Sequence, residues 1–366
     1  MASKKEIERL IAAAKRRMSC IDVNNLNTII NNNQEKKKPV IRNSNRGITK
    51  DEKIVRSIGS QYGENKNTPR PIDKFLTKVN GKFHKIELPE KGSFNAGIIR
   101  YNENKIICVY RPDEYSFIAC YIDNDYNVIP DSFYKFKIKD CADPRLIWDN
   151  KNQLILIYSS IDGLEFNREC IRGCVIINDR SSGRFVDNEP FRVSPVDLNS
   201  RQKNWMPFNY EDKIYLIASV NPHEIYQLTD ENNCIKAYQT NWNSPWMLKA
   251  HHRGNTNAIQ INEEFYLATF HTTMWHKGKC YYDNGCYLFS AKPPFHVLKC
   301  SNRTYLPAEA ACEKHFRKEN EIICNFPVGM MLENNKVIIS YGDNDSIVKI
   351  VEYKLEDLIN TMVDVY

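Results

Sequence analysis

The sequence predicts an all-β chain built as a five-bladed β-propeller, preceded by a short helical N-terminal extension. Three observations carry that prediction. From about Gly81 onward, short apolar runs alternate with turns rich in Asn, Asp and Gly, the texture of strands rather than helices. The 20 Tyr and 16 Phe suit pleated surfaces. One layout also recurs five times: a polar start, a first strand, a turn, then a second and more apolar strand.

The five copies run in order. Asn95 to Ile99 leads to Lys105–Arg111, and Ala142 to Ile147 leads to Gln153–Ser159. Lys203 to Phe208 leads to Lys213–Ser219, Asn255 to Ile261 leads to Phe265–His271, and Phe326 to Met330 leads to Lys336–Gly342. A third strand usually follows, as in Ser346–Tyr353. The spacing of roughly 45–70 residues fits propeller blades with loop insertions. One such sheet cannot bury both its faces, whereas a ring of them can. Ala308 to Glu319 reads as a helical insertion between the last two copies. A two-sheet sandwich is the competing all-β architecture.

Residues 1–80 differ in character and are read as an extension and linker, with the propeller domain spanning 81–366. Lys4 to Met18 has an amphipathic helical pattern, and Thr49-Lys50-Asp51-Glu52 is a capping box that starts a second short helix. Residues 1–70 hold 16 Lys and Arg against 7 Asp and Glu, so the net +6 of the chain resides here and the remainder is slightly acidic. This arm offers a contact for an acidic partner, a membrane surface or nucleic acid; a solvated arm is the plainer reading. No apolar run approaches the roughly 20 residues of a membrane span, and the first twenty residues lack the apolar core of a secretory signal. A cytoplasmic location is therefore expected. The richness in Asn, Lys and Ile suits an AT-rich genome, such as that of some viruses.

The twelve Cys are scattered, several of them inside apolar runs, and read as small buried hydrophobes. No Cys-x-x-Cys pair supports a metal site, and no metal or cofactor is expected. Walker-type loops, a Gly-x-Gly-x-x-Gly after a strand, His-Glu-x-x-His and a nucleophile elbow are all missing.

The polar starts would converge on the central hollow of a propeller, and their motifs resemble one family. Ala142-Asp143-Pro144-Arg145-Leu146 resembles the Glu-Asp-Pro-Arg motif of the β-mannoside phosphorylases and their relatives. Tyr110-Arg111 with Asp113 is similar to that family's first-blade motif. Phe326-Pro327-Val328-Gly329 and Tyr341-Gly342-Asp343-Asn344-Asp345 resemble its last-blade Phe-Pro-x-Gly and Tyr-Gly-x-x-Asp pattern. His252-Arg253-Gly254 is also similar to propeller domains attached to glycosyltransferases. The resemblance covers about Gly81 to Leu358 and implies a five-bladed fold. It further implies inverting chemistry at a β-glycosidic, mannosidic bond, with Asp143 as general acid acting through a sugar hydroxyl. Arg145 would hold the loop or touch the sugar.

Two departures shape the expected reaction. Ala142 stands where the family has Glu, and the first and third starts carry Asn95 and Asn204 rather than acids. An ordinary glycosidase uses two carboxylates. One acid without an obvious base suits an external nucleophile such as inorganic phosphate, or a sugar-phosphate or nucleotide-sugar donor. Phosphate needs cations, and Arg111, Lys203, His252, Arg253 and His271 are candidates. Lys203-Asn204-Trp205 could bind a sugar by stacking on Trp205 and by amide hydrogen bonds; a core Trp beside a turn is the plainer alternative. Asn257 and Asp345 complete the expected substrate-binding set, and Trp246 and Trp275 are further candidate platforms. The functions expected are thus glycoside phosphorylase or glycosyltransferase, with an inverting hydrolase and a non-catalytic glycan- or protein-binding propeller as alternatives.

Overall fold

The computed structural model describes residues 79–162, 168–195, 202–246, 252–306 and 322–365. The helices expected at Lys4–Met18, after Thr49 and at Ala308–Glu319 lie outside these residues. Strand β1 (Lys82–Lys85) comes first. β2 (Phe94–Asn102), β3 (Lys105–Arg111), β4 (Ile118–Ile122) and β5 (Tyr134–Lys135) form one antiparallel sheet in that order. β6 (Cys141–Trp148), β7 (Leu154–Asp162), β8 (Arg168–Ile177) and β9 (Phe191–Arg192) form a second. β10 (Met206–Tyr210), β11 (Lys213–Ser219), β12 (His223–Leu228) and β13 (Cys234–Thr240) form a third.

The last two predicted units are joined rather than separate. β14 (Arg253–Gly254), β15 (Ile259–Gln260), β16 (Phe265–His276), β17 (Lys279–Ser290) and β18 (Val297–Ser301) make up the fourth. β19 (Ile322–Glu333), β20 (Lys336–Asp343) and β21 (Ile347–Lys354) make up the fifth. With β1 and β22 (Met362–Asp364) they share one ten-stranded sheet. The cause is the long β16–β17 hairpin. Its far part, Cys280–Tyr282, pairs in parallel with Ile322–Cys324 of β19. A five-residue helix, α1 (Leu355–Ile359), is the only helix among the described residues. No sheet closes on itself as a barrel.

The second strand of each unit explains the packing. Side chains alternate across a strand, yet both faces of β3 are buried. Ile106, Cys108 and Tyr110 join Met331, Ile338, Val348 and Ile350 of the fifth unit. Ile107 and Val109 join Leu146, Leu154, Leu156 and Tyr158 of the second. In the same way β7 sends Ile155 and Ile157 toward Ile214 and Leu216 of the third unit. Tyr215 and Ile217 meet Tyr266, Ala268 and Phe270 of the fourth. Leu267 and Leu288 meet Val337 and Ile339 of the fifth. Five apolar interfaces result, and one of them returns the last unit to the first. All ten described cysteines are buried and unpaired as disulfides, the small hydrophobes that their apolar runs predict.

The leading strands touch backbone to backbone. A Cβ on Gly97 would lie 2.3 Å from the Pro144 carbonyl oxygen, and one on Gly329 would lie 2.4 Å from the Ile98 nitrogen. Only glycine allows these approaches. Ser340 Oγ donates to the Ala96 carbonyl at 2.5 Å, linking the fifth unit to the first. Asn257 bridges the fourth and fifth, its Nδ2 donating to Met330 O at 3.0 Å and its Oδ1 accepting from Met330 N at 2.9 Å.

Candidate active site

The starts of the leading strands share an unusual backbone. Asn95, Asp143 and Asn204 have φ of +48°, +57° and +63°. Asn and Asp tolerate this left-handed region better than other non-glycine residues. Each such position costs about 1–3 kcal/mol and gathers where function needs it. In β2 and β6 the residue sits in a register shift, Phe94 to Gly97 and Ala142 to Arg145. In three of the five units the repeat is therefore in phase at the level of single residues. Asn344 and Asp345, after β20, have the same backbone hand, +48° and +49°.

Asp143 is part-buried and held by two neighbours. Its Oδ1 accepts from Asn95 Nδ2 at 3.1 Å and from Arg111 Nη1 at 3.4 Å. The Arg111 guanidinium lies over the Phe94 ring at 4.5 Å, and its Nη2 donates to Glu114 O at 2.9 Å. One carboxylate oxygen is thus tied between a cation and an amide at the leading edge of β6, while Oδ2 accepts no hydrogen bond among the described residues.

Arg145 lies deeper, 1 % exposed. Its Nη1 donates to the carbonyl of Asp143 at 3.0 Å and its Nε donates to the carbonyl of Asn255. It thereby ties the second unit to the fourth. Burial draws its pKa down to about 10, with Asp143 acting against that, so it stays cationic at neutral pH. His271, 2 % exposed, continues the path. Its Nδ1–H donates to Asn255 Oδ1 at 2.6 Å, Asn255 Nδ2 donates to Asn284 Oδ1 at 3.0 Å, and Asn284 Nδ2 donates to Leu306 O and Asn325 O. Burial holds the His271 pKa well below its usual value, and the positive charges of Arg253, Lys203, Arg145 and His252 add to the effect. Three of the expected phosphate cations, Lys203, Arg253 and His252, together with Arg145, therefore act on His271, which is held neutral and is not the cation that the sequence suggests. Its ring stacks on Tyr282 at 5.2 Å. Burial raises the Tyr282 pKa, and Asp345 is among the acidic neighbours that raise it further.

The remaining expected residues divide. His252 rests against Trp242, Trp246 and Phe270, and its Nε2 is 2.8 Å from Ser244 Oγ. Asn204 is buried beside Gly254. Trp205 is 1 % exposed, packs against Tyr226 at 4.9 Å and belongs to the apolar interface between the second and third units. Asn257 spends its amide on Met330. Trp246 donates from Nε1 to Ser301 O at 2.6 Å and packs on Phe270. Three residues that touch Asp143 hold buried polar atoms without a hydrogen-bond partner among the described residues, Asn95 Oδ1, Arg111 Nε and Arg145 Nη2, and so do Asn204 Oδ1 and Asp343 Oδ1 at other strand ends. Such atoms are costly in a dry interior, so a polar ligand gains most at this end of the strands.

A sequence profile described as β-1,4-mannooligosaccharide phosphorylase, glycoside hydrolase family 130, matches residues 66–364. The chain belongs to glycoside hydrolase family 130. No curated protein matches it. Among solved structures it is similar to a β-1,2-mannobiose phosphorylase from Listeria innocua in complex with β-1,2-mannobiose, at 12% identity and TM-score 0.53, over 78% of this chain and 94% of that one. It is similar to a glycosyl hydrolase from Bacteroides ovatus at 12% identity and TM-score 0.52, over 79% and 93%. A further likeness, with the same four values, is to a family-130 structure from work on hydrolases that target β-1,2 mannosidic linkages in Candida mannan. At this identity the structural likenesses speak for the fold. Family 130 comprises mannoside phosphorylases and glycoside hydrolases acting on β-mannosidic linkages, and nothing in the comparisons supports a glycosyltransferase.

Three residues of this cluster carry little signal in the sequence. Asn95 stands in the sequence as a missing acid, yet it holds Asp143. Asn255 and Tyr282 match no motif of their own. The polar block Asn255-Thr256-Asn257 offered both asparagines, but β14 stops at Gly254 and β15 starts at Ile259, so strand alternation does not apply between them. Tyr282 follows from the β16–β17 register, which sets it opposite Thr273.

The buried histidines of this family-130 chain have a measurable consequence. Burial also lowers His223, to about 4, while its Nδ1–H donates to Phe295 O at 3.0 Å. Unfolded histidine titrates near pH 6.5, and the folded state binds fewer protons below that value. Stability should be full above about pH 6.5 and fall as the pH drops toward 4, by roughly 2 kcal/mol at pH 5 for His223, with His271 adding a loss of the same sign. Urea midpoints at pH 7.5 and pH 5 test this, and His223→Gln should flatten the dependence. A midpoint independent of pH would contradict the neutral assignment.

Proposed function

We propose that the described domain is a five-bladed propeller and that its leading-strand end holds the active centre of an inverting β-mannoside phosphorylase. The five apolar interfaces, one returning the last unit to the first, and the likeness to family-130 structures support the architecture. The observation that carries the chemistry is Asp143, a part-buried carboxylate with one oxygen tied by Arg111 and Asn95, beside a cluster of cations around His271.

In this reading a phosphate oxygen attacks the anomeric carbon of a β-mannoside. The bond from that carbon to the bridging oxygen breaks, and the bridging oxygen takes the proton of Asp143, directly or through a sugar hydroxyl. The products are α-mannose 1-phosphate and a saccharide one unit shorter. Lys203, Arg253 and His252 offset the charge of phosphate, and Arg111 orients Asp143. Asn204 and Asp345 are assigned to sugar hydroxyls. Arg145, Asn257, His271 and Trp205 hold the walls. Phosphate is favoured over water because the positions in phase with Asp143 are amides, Asn95 and Asn204, whereas an inverting hydrolase places a second carboxylate about 6.5–9.5 Å away.

Incubation with β-1,4- and β-1,2-mannobiose, with and without phosphate, tests the proposal. Mannose 1-phosphate formed only when phosphate is present supports it. Free mannose formed equally well without phosphate would replace it with hydrolysis.

A further inference from the structure

A cavity of about 860 Å³ opens at the opposite end of the leading strands, away from Asp143. Its walls come from three units: the β2–β3 turn, the segment after β4, Arg180 after β8, and the β19–β20 turn. β2 runs from Asn95, beside Asp143, to Asn102 on the cavity wall. At about 3.3 Å per residue the two places are on the order of 23 Å apart. One bound saccharide unit cannot serve both.

The walls are fixed in advance by charged groups. Arg100 forks onto Glu333, with Nε to Oε1 and Nη2 to Oε2 both at 2.6 Å, and its Nη1 donates to Asn124 Oδ1 at 2.8 Å. Arg180 donates from Nε and Nη2 to Tyr101 O at 3.0 and 2.7 Å, and its guanidinium lies over Trp148 at 4.7 Å. Bonds of this kind are strong and geometrically specific, and a preformed wall spares a ligand the cost of ordering it. They tie the first unit to the fifth and to the second.

The same walls keep hydrogen-bonding capacity in reserve. Arg180 Nη1, Asn102 Nδ2 and the Asn334 amide make no hydrogen bond among the described residues, and neither do the Tyr101 hydroxyl and the Glu103 carboxylate. Two arginines and two glutamates line the cavity, so their formal charges cancel. No net charge draws an anion here, and mixed donors and acceptors beside aromatic rings suit a neutral ligand rich in hydroxyls. The volume lies within the range of small-molecule pockets, roughly 300–1,000 Å³.

We propose that this cavity is a second, non-catalytic site for an uncharged oligosaccharide segment, formed where the first, second and fifth units meet. It goes beyond the catalytic reading and stands independently of it. A polysaccharide bound here would keep the enzyme on its polymer while the reaction proceeds at the far end.

Electrophoresis of the full chain through native gels containing soluble β-mannan tests the site, with anionic alginate as the contrasting polymer. The wild type and Asp143→Asn should both be retarded by mannan and not by alginate. Asn102→Trp, which fills the mouth, and Glu103→Ala, an exposed turn residue, should at least halve the retardation and leave kcat on mannobiose unchanged. Glu103→Ala serves as the check should Asn102→Trp fold poorly. Absence of retardation in the wild type, retardation by alginate alone, or equal retardation of both variants would overturn the proposal. Loss of activity in Asp143→Asn bears only on the catalytic reading.

Discussion

Asp143→Asn is expected to lower kcat on a β-mannoside by about 10²–10⁴-fold, the range that a positioned general acid contributes. The fold should survive. The amide keeps an oxygen that can accept from Arg111 Nη1 and Asn95 Nδ2, and the bond from Arg145 goes to the backbone carbonyl, which the substitution leaves alone. Thermal midpoints should therefore agree within a few degrees, and KM should change far less than kcat. Activity within a factor of three of the wild type would remove Asp143 from the role of acid.

Arg145→Met should act mainly on stability. Methionine fills much of the volume but leaves the carbonyls of Asp143 and Asn255 without their donor. Buried acceptors stripped of partners cost about 1–3 kcal/mol each. A loss of roughly 3 kcal/mol follows, read as a lower urea midpoint with an unchanged m-value. Arg145→Lys should not restore it, since a single ammonium on a flexible stem cannot replace the two directed bonds of a planar fork. Stability within 1 kcal/mol of the wild type would show that the second and fourth units are held together by other contacts.

Much of this architecture could be read from the chain. The second strands are apolar on both faces, as in Ile106 to Tyr110 and Leu154 to Tyr158, and that is the mark of sheets packed on two sides. Their predicted limits at Lys105–Arg111 and Lys213–Ser219 match β3 and β11. The polar starts could be aligned because Asn and Asp occupy the same strained turn in three units. The fusion of the last two units had no local signature, since Cys280–Tyr282 and Ile322–Cys324 meet across a long stretch of intervening chain. Trp205 could not be told from a sugar platform by its neighbours, because core and platform use the same ring at the start of a strand. Arg145 reads in the sequence as loop-holding or sugar-touching, and its reach to Asn255 depends on which units face each other, a matter of three-dimensional arrangement alone.

β1 runs antiparallel to β21, with Phe83 opposite Val351. An edge strand of the final sheet is therefore supplied by a segment that precedes the first sheet in the chain. During synthesis that segment has no partner until β21 has been made. Closure of this sheet thus waits for the last strand of the fifth unit, and a stop before Ile347 would leave the edges of β1 and β20 open to neighbouring chains.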